Sequence, residues 1–439
     1  MKKAFLYTLV ASAVLLSCRK DKTVFSESPD DRINAVMTAY GDSLVGAANG
    51  WKGFVFPSGM NGGVVAFYFK FSNSNRVQMF SDFDSLSNVT MKESSYRLKA
   101  LQQPALIFDT YNYITVLADP DASVNGGSYG SGLNSDFEFA IDSIKNNTVW
   151  LTGRQHGTKA YLLKASKQEM DDYYNQKHSN RLFDNLDKYL KYFKRFTAGG
   201  VTYEILINTA NKTATIGWLD GNGNPHTVVT AYYYTTTGVG FIIPVINGST
   251  TITGVDNITW NGSTLSMAWT VNGTATTVVG NKDPIVYDVN APVRWWQLGQ
   301  ASPGGYWISL NGFHINGVDD AFGIKNISNF YYLGYAPNIF GGGYDGLPFF
   351  KVLNNALDWQ YIPAYNPMST SSQGISTFRY AGNYYNTGVT KVPTADSIPV
   401  YRTVGQFTDP MGYRFVKLDS TTYDMVNVRD GQTWIRWQY

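Results

Sequence analysis

A chain of 439 residues with only five glutamates, Glu27, Glu93, Glu138, Glu169 and Glu204, has little from which to build the wet faces of long amphipathic helices. None follows Glu204. The polar positions go instead to Thr, Ser, Asn and Gly, interleaved with 31 Tyr and 25 Phe that suit pleated, half-buried strands. With 42 Gly to serve turns, the composition predicts a mainly β protein of many short strands. The formal net charge is +2, and loss of Lys2 and Lys3 with a leader brings the chain to neutrality. That balance excludes a long-range electrostatic pull on nucleic acid.

Met1 to Cys18 read as a basic start, then an apolar stretch from Ala4 to Leu16 too short for a membrane-spanning helix, then a small residue before a cysteine. Leu15-Leu16-Ser17-Cys18 resembles the bacterial lipobox. Residues 1–17 are therefore expected to be a lipoprotein signal peptide, with Cys18 acylated and residues 18–27 a tether. Cys18 is the sole cysteine, which an exported chain cannot pair internally and which lipidation explains. Acyl chains hold a protein to a bilayer without spanning it, so the expected location is the outer membrane, lipid-anchored. Arg19-Lys20-Asp21-Lys22 follow the cysteine where surface-displayed lipoproteins carry an acidic run, leaving the surface-exposed and periplasmic faces both open.

Ser28-Pro29-Asp30-Asp31 reads as a helix N-cap with proline in the first turn, and Ile33, Val36, Met37, Tyr40 and Leu44 follow at helical spacing. From Trp51 the period changes to two. Seven strand-like runs follow, among them Gly63 to Phe71 and Ala105 to Leu117, so that 28–166 is expected to hold a helix and a first β domain. Leu182, Phe183, Leu186, Leu190 and Phe193 predict a connector helix within 167–196, and seven more runs predict a second β domain over 197–281. The expected architecture is two antiparallel barrel-like or sandwich-like domains joined by a helix, with an irregular β-rich unit over 282–439 that includes a strand at Val400 to Val404. Asp136 to Gly153 resembles Thr250 to Met267, and Arg76 to Met79 resembles Lys212 to Thr215. These likenesses point either to an internal duplication or to the sameness of meanders.

Gly50-Trp51, Phe67 to Phe71, Arg76 to Met79 with Ser81-Asp82, Glu93 to Tyr96, Leu106 to Asn112, Leu117 to Pro120 and Asp136 to Phe139 occur in order and together resemble the Bacteroidota lipoprotein family known as domain of unknown function 4302. The resemblance spans roughly residues 30 to 280. It implies an exported lipoprotein of a family often encoded beside outer-membrane import pairs for glycans or peptides, an import complex being the partner to expect, with no catalytic residues established for its members.

Candidate chemistry is sparse. His156, His178, His226 and His314 are too scattered for a local zinc motif. Gly126 to Gly130 matches G-x-S-x-G inside a glycine-rich loop rather than a strand–helix turn. Asp119 and Asp121, followed by Asp136 and Glu138, offer alternating oxygen ligands suited to calcium, the one cofactor the sequence suggests. Asp220 to Asn224 has similar spacing but reads as a hairpin turn. Asp109, Asp136 and Glu138 are the carboxylates from which a cryptic hydrolase would be built, if they face one another. Trp295, Trp296, Tyr331 and Tyr332 are the expected aromatic patch for a glycan or peptide. Ser85 and Ser397, each after an Asp, are candidate O-glycosylation sites in loops. The residues thus favour a non-catalytic protein that binds a glycan or peptide, which the resemblance implies is an accessory to nutrient uptake, with the hydrolase and a structural envelope lipoprotein as alternatives.

Overall fold

The computed structural model describes residues 28–101 and 103–439, so Cys18, the signal peptide and the tether lie outside the described residues. Helix Pro29–Val45 begins where Ser28 Oγ accepts from the Asp31 amide at 3.1 Å. Its C-terminal end, with Tyr40, Leu44 and Val45, packs on the first core, while Val36 stays exposed.

The helix leads into a closed antiparallel barrel of eight strands in chain order: β1 (Trp51–Phe56), β2 (Val65–Phe71), β3 (Arg76–Ser81), β4 (Lys92–Ala100), β5 (Pro104–Phe108), β6 (Glu138–Lys145), β7 (Thr148–Gly153) and β8 (Lys159–Lys164). β1 closes the ring, with Phe54 opposite both Ala66 of β2 and Tyr161 of β8. Alternation along β2 sends Val65, Phe67, Phe69 and Phe71 inward, where they fill the barrel. The second barrel repeats this order with β9 (Phe193–Ala198), β10 (Val201–Asn208), β11 (Thr213–Leu219), β12 (Pro225–Tyr234), β13 (Val239–Asn247), β14 (Thr250–Asn261), β15 (Ser266–Val271) and β16 (Thr274–Asn281), closed by β16 against β9. Its interior is packed with Tyr203, Ile205, Ile216, Tyr232 and Trp269 among others. The sequence likenesses fall on the same ordinal strands of each barrel: third on β3 and β11, sixth and seventh on β6–β7 and β14–β15. Shared topology and matching positions favour the duplication reading.

Several expected boundaries move. Helix in the connector is confined to Lys167–Tyr174, capped by Ser166 and Glu169, followed by a 3-10 segment at Leu182–Lys188. Phe193 belongs to β9, because burying Phe193 and Phe196 in sheet closes the second barrel. Ala105 to Leu117 is not one strand: Asn112 caps a short helix at Tyr113–Leu117, its side chain accepting from the Ile114 and Thr115 amides. Val400 to Val404 is helical, inside Ser397–Phe407, where Val400, Thr403, Val404 and Phe407 turn one face to the third core.

The C-terminal unit is a ten-stranded antiparallel sheet and a smaller three-stranded one, with helices Ala291–Ala301 and Ser397–Phe407. Trp295, Trp307, Tyr335, Phe407, Phe415 and Trp437 form its centre.

The barrels are joined through Asp82, just past β3. Its carboxylate accepts from the Ala66 amide of its own barrel at 2.8 Å, from the Tyr234 amide of the other at 3.2 Å, and from the Lys212 ammonium. Asp82 and Lys212 are 1% and 5% exposed. Around them Phe54, Val64, Ala66 and Ala231 form an apolar patch, with Phe54 edge-on to Tyr233 at 4.9 Å. Gly63 passes so close to the second barrel that a Cβ there would lie 1.8 Å from the Asn211 carbonyl oxygen. Removing one partner of a buried ion pair strands the other charge, so Asp82→Ala is expected to lower the unfolding free energy by about 3–5 kcal/mol in a urea titration. Asp42→Ala, on the exposed side of the N-terminal helix, should leave it unchanged.

Candidate functional site

The four aromatics expected to form one patch do not do so. Trp295 is 0% exposed, with ring centroids of Tyr335 and Phe415 each 4.6 Å away. Trp296 donates its indole N–H to Asp345 Oδ1 at 3.0 Å, and Tyr332, 6% exposed, shares a 2.7 Å hydrogen bond with the Tyr306 hydroxyl. Of the four, Tyr331 alone is well exposed, at 58%. Strand Phe330–Tyr335 is exposed only at its start, with Tyr332 to Tyr335 all buried, and Trp295 lies on the face of helix Ala291–Ala301 that packs into the third core.

The carboxylates are also committed. Asp119 accepts from the Tyr111 hydroxyl at 2.6 Å and the Asp121 amide at 3.0 Å, while Asp121 caps Ala122–Asn125 through the Ser123 amide. Asp136 accepts from the amides of Gln155, His156 and Thr158 at 2.7 to 3.1 Å. Burial works to raise its pKa, but these donors outweigh it and hold the carboxyl below the usual range. Glu138 pairs with Arg154, and Asp109 with Arg97 and Ser95. Each of Asp109, Asp136 and Glu138 is thus engaged by partners of its own. Among the described residues no group of three or more His, Cys, Asp or Glu could hold a metal ion, so Asp119, Asp121, Asp136 and Glu138 do not assemble the expected calcium site. Asp220 accepts from the Asn222 and Asn224 amides, as the hairpin reading requires.

Of the modification candidates, Ser85 stands exposed in the turn after β3, whereas Ser397 is the first residue of a helix and half-buried, not in a loop. Its Oγ donates to the Thr394 carbonyl, and Asp396 before it is buried in an ion pair with Lys351.

An open groove of about 520 Å³ lies on the three-stranded sheet Asp345–Gly346, Tyr361–Tyr365 and Tyr380–Tyr385. Phe340, Tyr344 and Tyr384 supply its rings, with Ala364, Ala381, Gly382 and Asn383 between them. Tyr384 is 54% exposed and is braced by Phe340 at 5.2 Å and Trp359 at 5.8 Å. Tyr385 packs against the core instead. Gly382, at φ +134°, has open space where a side chain would stand, and Asn383 Oδ1 has no hydrogen-bond partner among the described residues. Nothing in the local sequence joins Phe340 to Tyr384. The pairing of Tyr361–Tyr365 with both neighbouring strands does so.

A second, mostly apolar cavity of about 160 Å³ lies where β10 and β11 meet the C-terminal unit, and Glu204 is on its wall. Glu204 is 4% exposed. Burial pushes its carboxyl up to about 7 against the opposing pull of the Ile285 amide, Arg195 and Lys194.

Residues 21–262 match the family model described as domain of unknown function 4302. The chain belongs to this family. In this member of family 4302 the match takes in the N-terminal helix, the first barrel and the second barrel through β14, so Glu204 lies inside the matched residues and the aromatic groove outside them. No curated protein matches the chain. Among solved structures, the β subunit of DNA polymerase from Streptococcus pyogenes is 9% identical, with 92% of this chain and 97% of that one covered at a TM-score of 0.13. A sliding clamp from Pseudomonas aeruginosa bound to griselimycin is 10% identical, with the same coverage at 0.11. At such TM-scores these likenesses carry no argument.

The raised pKa of Glu204 makes stability depend on pH in a stated direction. Between 4.5 and about 7 the folded chain keeps a proton on Glu204 that the unfolded chain releases, so this contribution is complete below 4.5 and is lost as pH rises through 7. Glu204→Gln is expected to remove a decline on the order of 3 kcal/mol between those limits. Urea titrations of both proteins across that range check it.

Proposed function

We propose that this chain is a lipid-anchored, non-catalytic binding protein of the outer membrane that holds a glycan or peptide beside a nutrient-uptake system, with the aromatic groove as its ligand site. The observation that carries this reading is Tyr384, a ring left exposed on a rigid strand and braced by Phe340 and Trp359. Flat aromatic faces suit the C–H faces of sugar rings, and an amphipathic ring held in place loses little entropy on binding. A peptide is the second reading, because Tyr380–Tyr385 is the edge strand of its small sheet and an extended chain could pair with it. The hydrolase reading loses its support once Asp109, Asp136 and Glu138 are each engaged elsewhere.

The location rests on Leu15 to Cys18, outside the described residues. Among the described residues no helix is long and apolar enough to cross a membrane, so acylation of Cys18 is the proposed attachment. Ser85, exposed after Asp84, is the proposed O-glycan acceptor.

Glycan and peptide arrays on the purified protein are expected to give hits that Tyr384→Ala weakens about tenfold or more. Tyr331→Ala should leave them unchanged. Absence of hits in both arrays, or indifference to Tyr384→Ala, counts against the groove. In cells, a clickable fatty acid is expected to label the wild type and not Cys18→Ala. Equal labelling would remove the anchor.

A further inference from the structure

A cavity of about 210 Å³ opens between the second barrel and the C-terminal unit, separate from the groove and from the Glu204 pocket. Lys194 of β9 lines it. This side chain is 6% exposed, yet among the described residues its ammonium makes no hydrogen bond and no ion pair: it lies over the face of Tyr192 at 5.3 Å and feels Asp187 and Asp424 only through space. The other deep charge is already neutralised. Asp424, fully buried, takes both guanidinium nitrogens of Arg436 at 2.8 and 2.9 Å and the Tyr192 hydroxyl at 2.8 Å. His314 rests flat on Trp434 at 3.7 Å, with Nδ1 2.6 Å from Asp319 Oδ1. A carboxylate can only accept there, so Nδ1 holds a hydrogen, and in the neutral ring the buried Nε2, which has no partner among the described residues, is an acceptor. Asp187 and Asp319 stand exposed at the mouth.

The cavity thus has within it a cation that no hydrogen bond or ion pair engages, and toward its mouth the unpartnered His314 Nε2 and two carboxylates, Asp187 bonded by Thr209 and Asp319 by His314, that keep further lone pairs for a donor. A dianion such as phosphate would meet two rim carboxylates, and a simple cation would meet Lys194. A small molecule carrying both charges satisfies both ends. We propose that this cavity binds a free α-amino acid, its carboxylate on Lys194 and its ammonium toward His314 Nε2, Asp187 and Asp319. An uncompensated buried ammonium is costly, as the downward push of burial on Lys194, to about 8, also shows. A fold can keep such a cost where a ligand offsets it.

Isothermal titration of the purified protein with glycine, L-alanine and L-serine tests this, with acetate and methylammonium as half-ligands. At least one amino acid is expected to bind with Kd near or below about 1 mM, and each half-ligand at least about tenfold more weakly. Lys194→Met should abolish binding while melting at or above the wild-type temperature. Asp187→Asn, at the exposed rim, should fold normally and weaken binding about tenfold. Tyr384→Ala should not change it, which separates this site from the groove. No heat from any of the three amino acids at about 10 mM, acetate binding as tightly as the amino acids, or unaltered binding by Asp187→Asn would overturn the proposal.

Discussion

The arrangement of the whole molecule depends on one buried carboxylate. Asp82 accepts from an amide in each barrel and from the ammonium of Lys212, so the two barrels share a single buried network. A buried ion pair is a poor source of net stability, because desolvation offsets the attraction, but it is intolerant of misplacement. An apolar patch such as Phe54, Val64, Ala66 and Ala231 could slide by a residue at modest cost. Lys212 without Asp82 could not. The pair therefore fixes how the second barrel sits on the first, while the Tyr192–Asp424 and Asn211–Asp419 hydrogen bonds cross the seam to the C-terminal unit that holds Glu204 and Lys194.

Both barrels are filled by their own side chains, so neither has a lumen in which to hold a ligand. Concave surface is left to the places where units meet and to the irregular C-terminal third. The aromatic richness of the chain divides accordingly. Most of the large rings serve as core, Trp295, Trp307 and Trp437 among them, and Tyr384 is one of the exposed exceptions, on which the groove depends. The Asp residues divide in the same way, since turn amides and neighbouring cations take up lone pairs that would otherwise be free for a metal or a substrate.

In each barrel seven of the eight strands were legible, and the one missed was the first, β1 and β9. Those strands close the rings. Lys167 to Phe193 carries helical spacing, yet its end is drawn into sheet because β10 and β16 both need a partner between them. Val400 to Val404 failed in the opposite sense. Its β-branched residues suit a strand, but Val400, Val404 and Phe407 reach the third core on one helical face. The aromatic site failed because which of two neighbouring rings turns inward depends on packing: Trp295 takes the core face of helix Ala291–Ala301, and Tyr384 of the Tyr384-Tyr385 pair is outside.

By itself the sequence determined what neighbours along the chain decide: the β class, the turns, the N-terminal helix, the two repeated sets of strands and the expected export signal. Periodicity and turn chemistry act over a few residues, and a few residues suffice to read them. Barrel closure, the Asp82 node, the groove that joins Phe340 to Tyr384 and the seam that isolates Lys194 were decided by tertiary structure alone. Each depends on contacts between residues distant in the chain, and whether a ring is core or surface, or a charge paired or free, is fixed only when those contacts form.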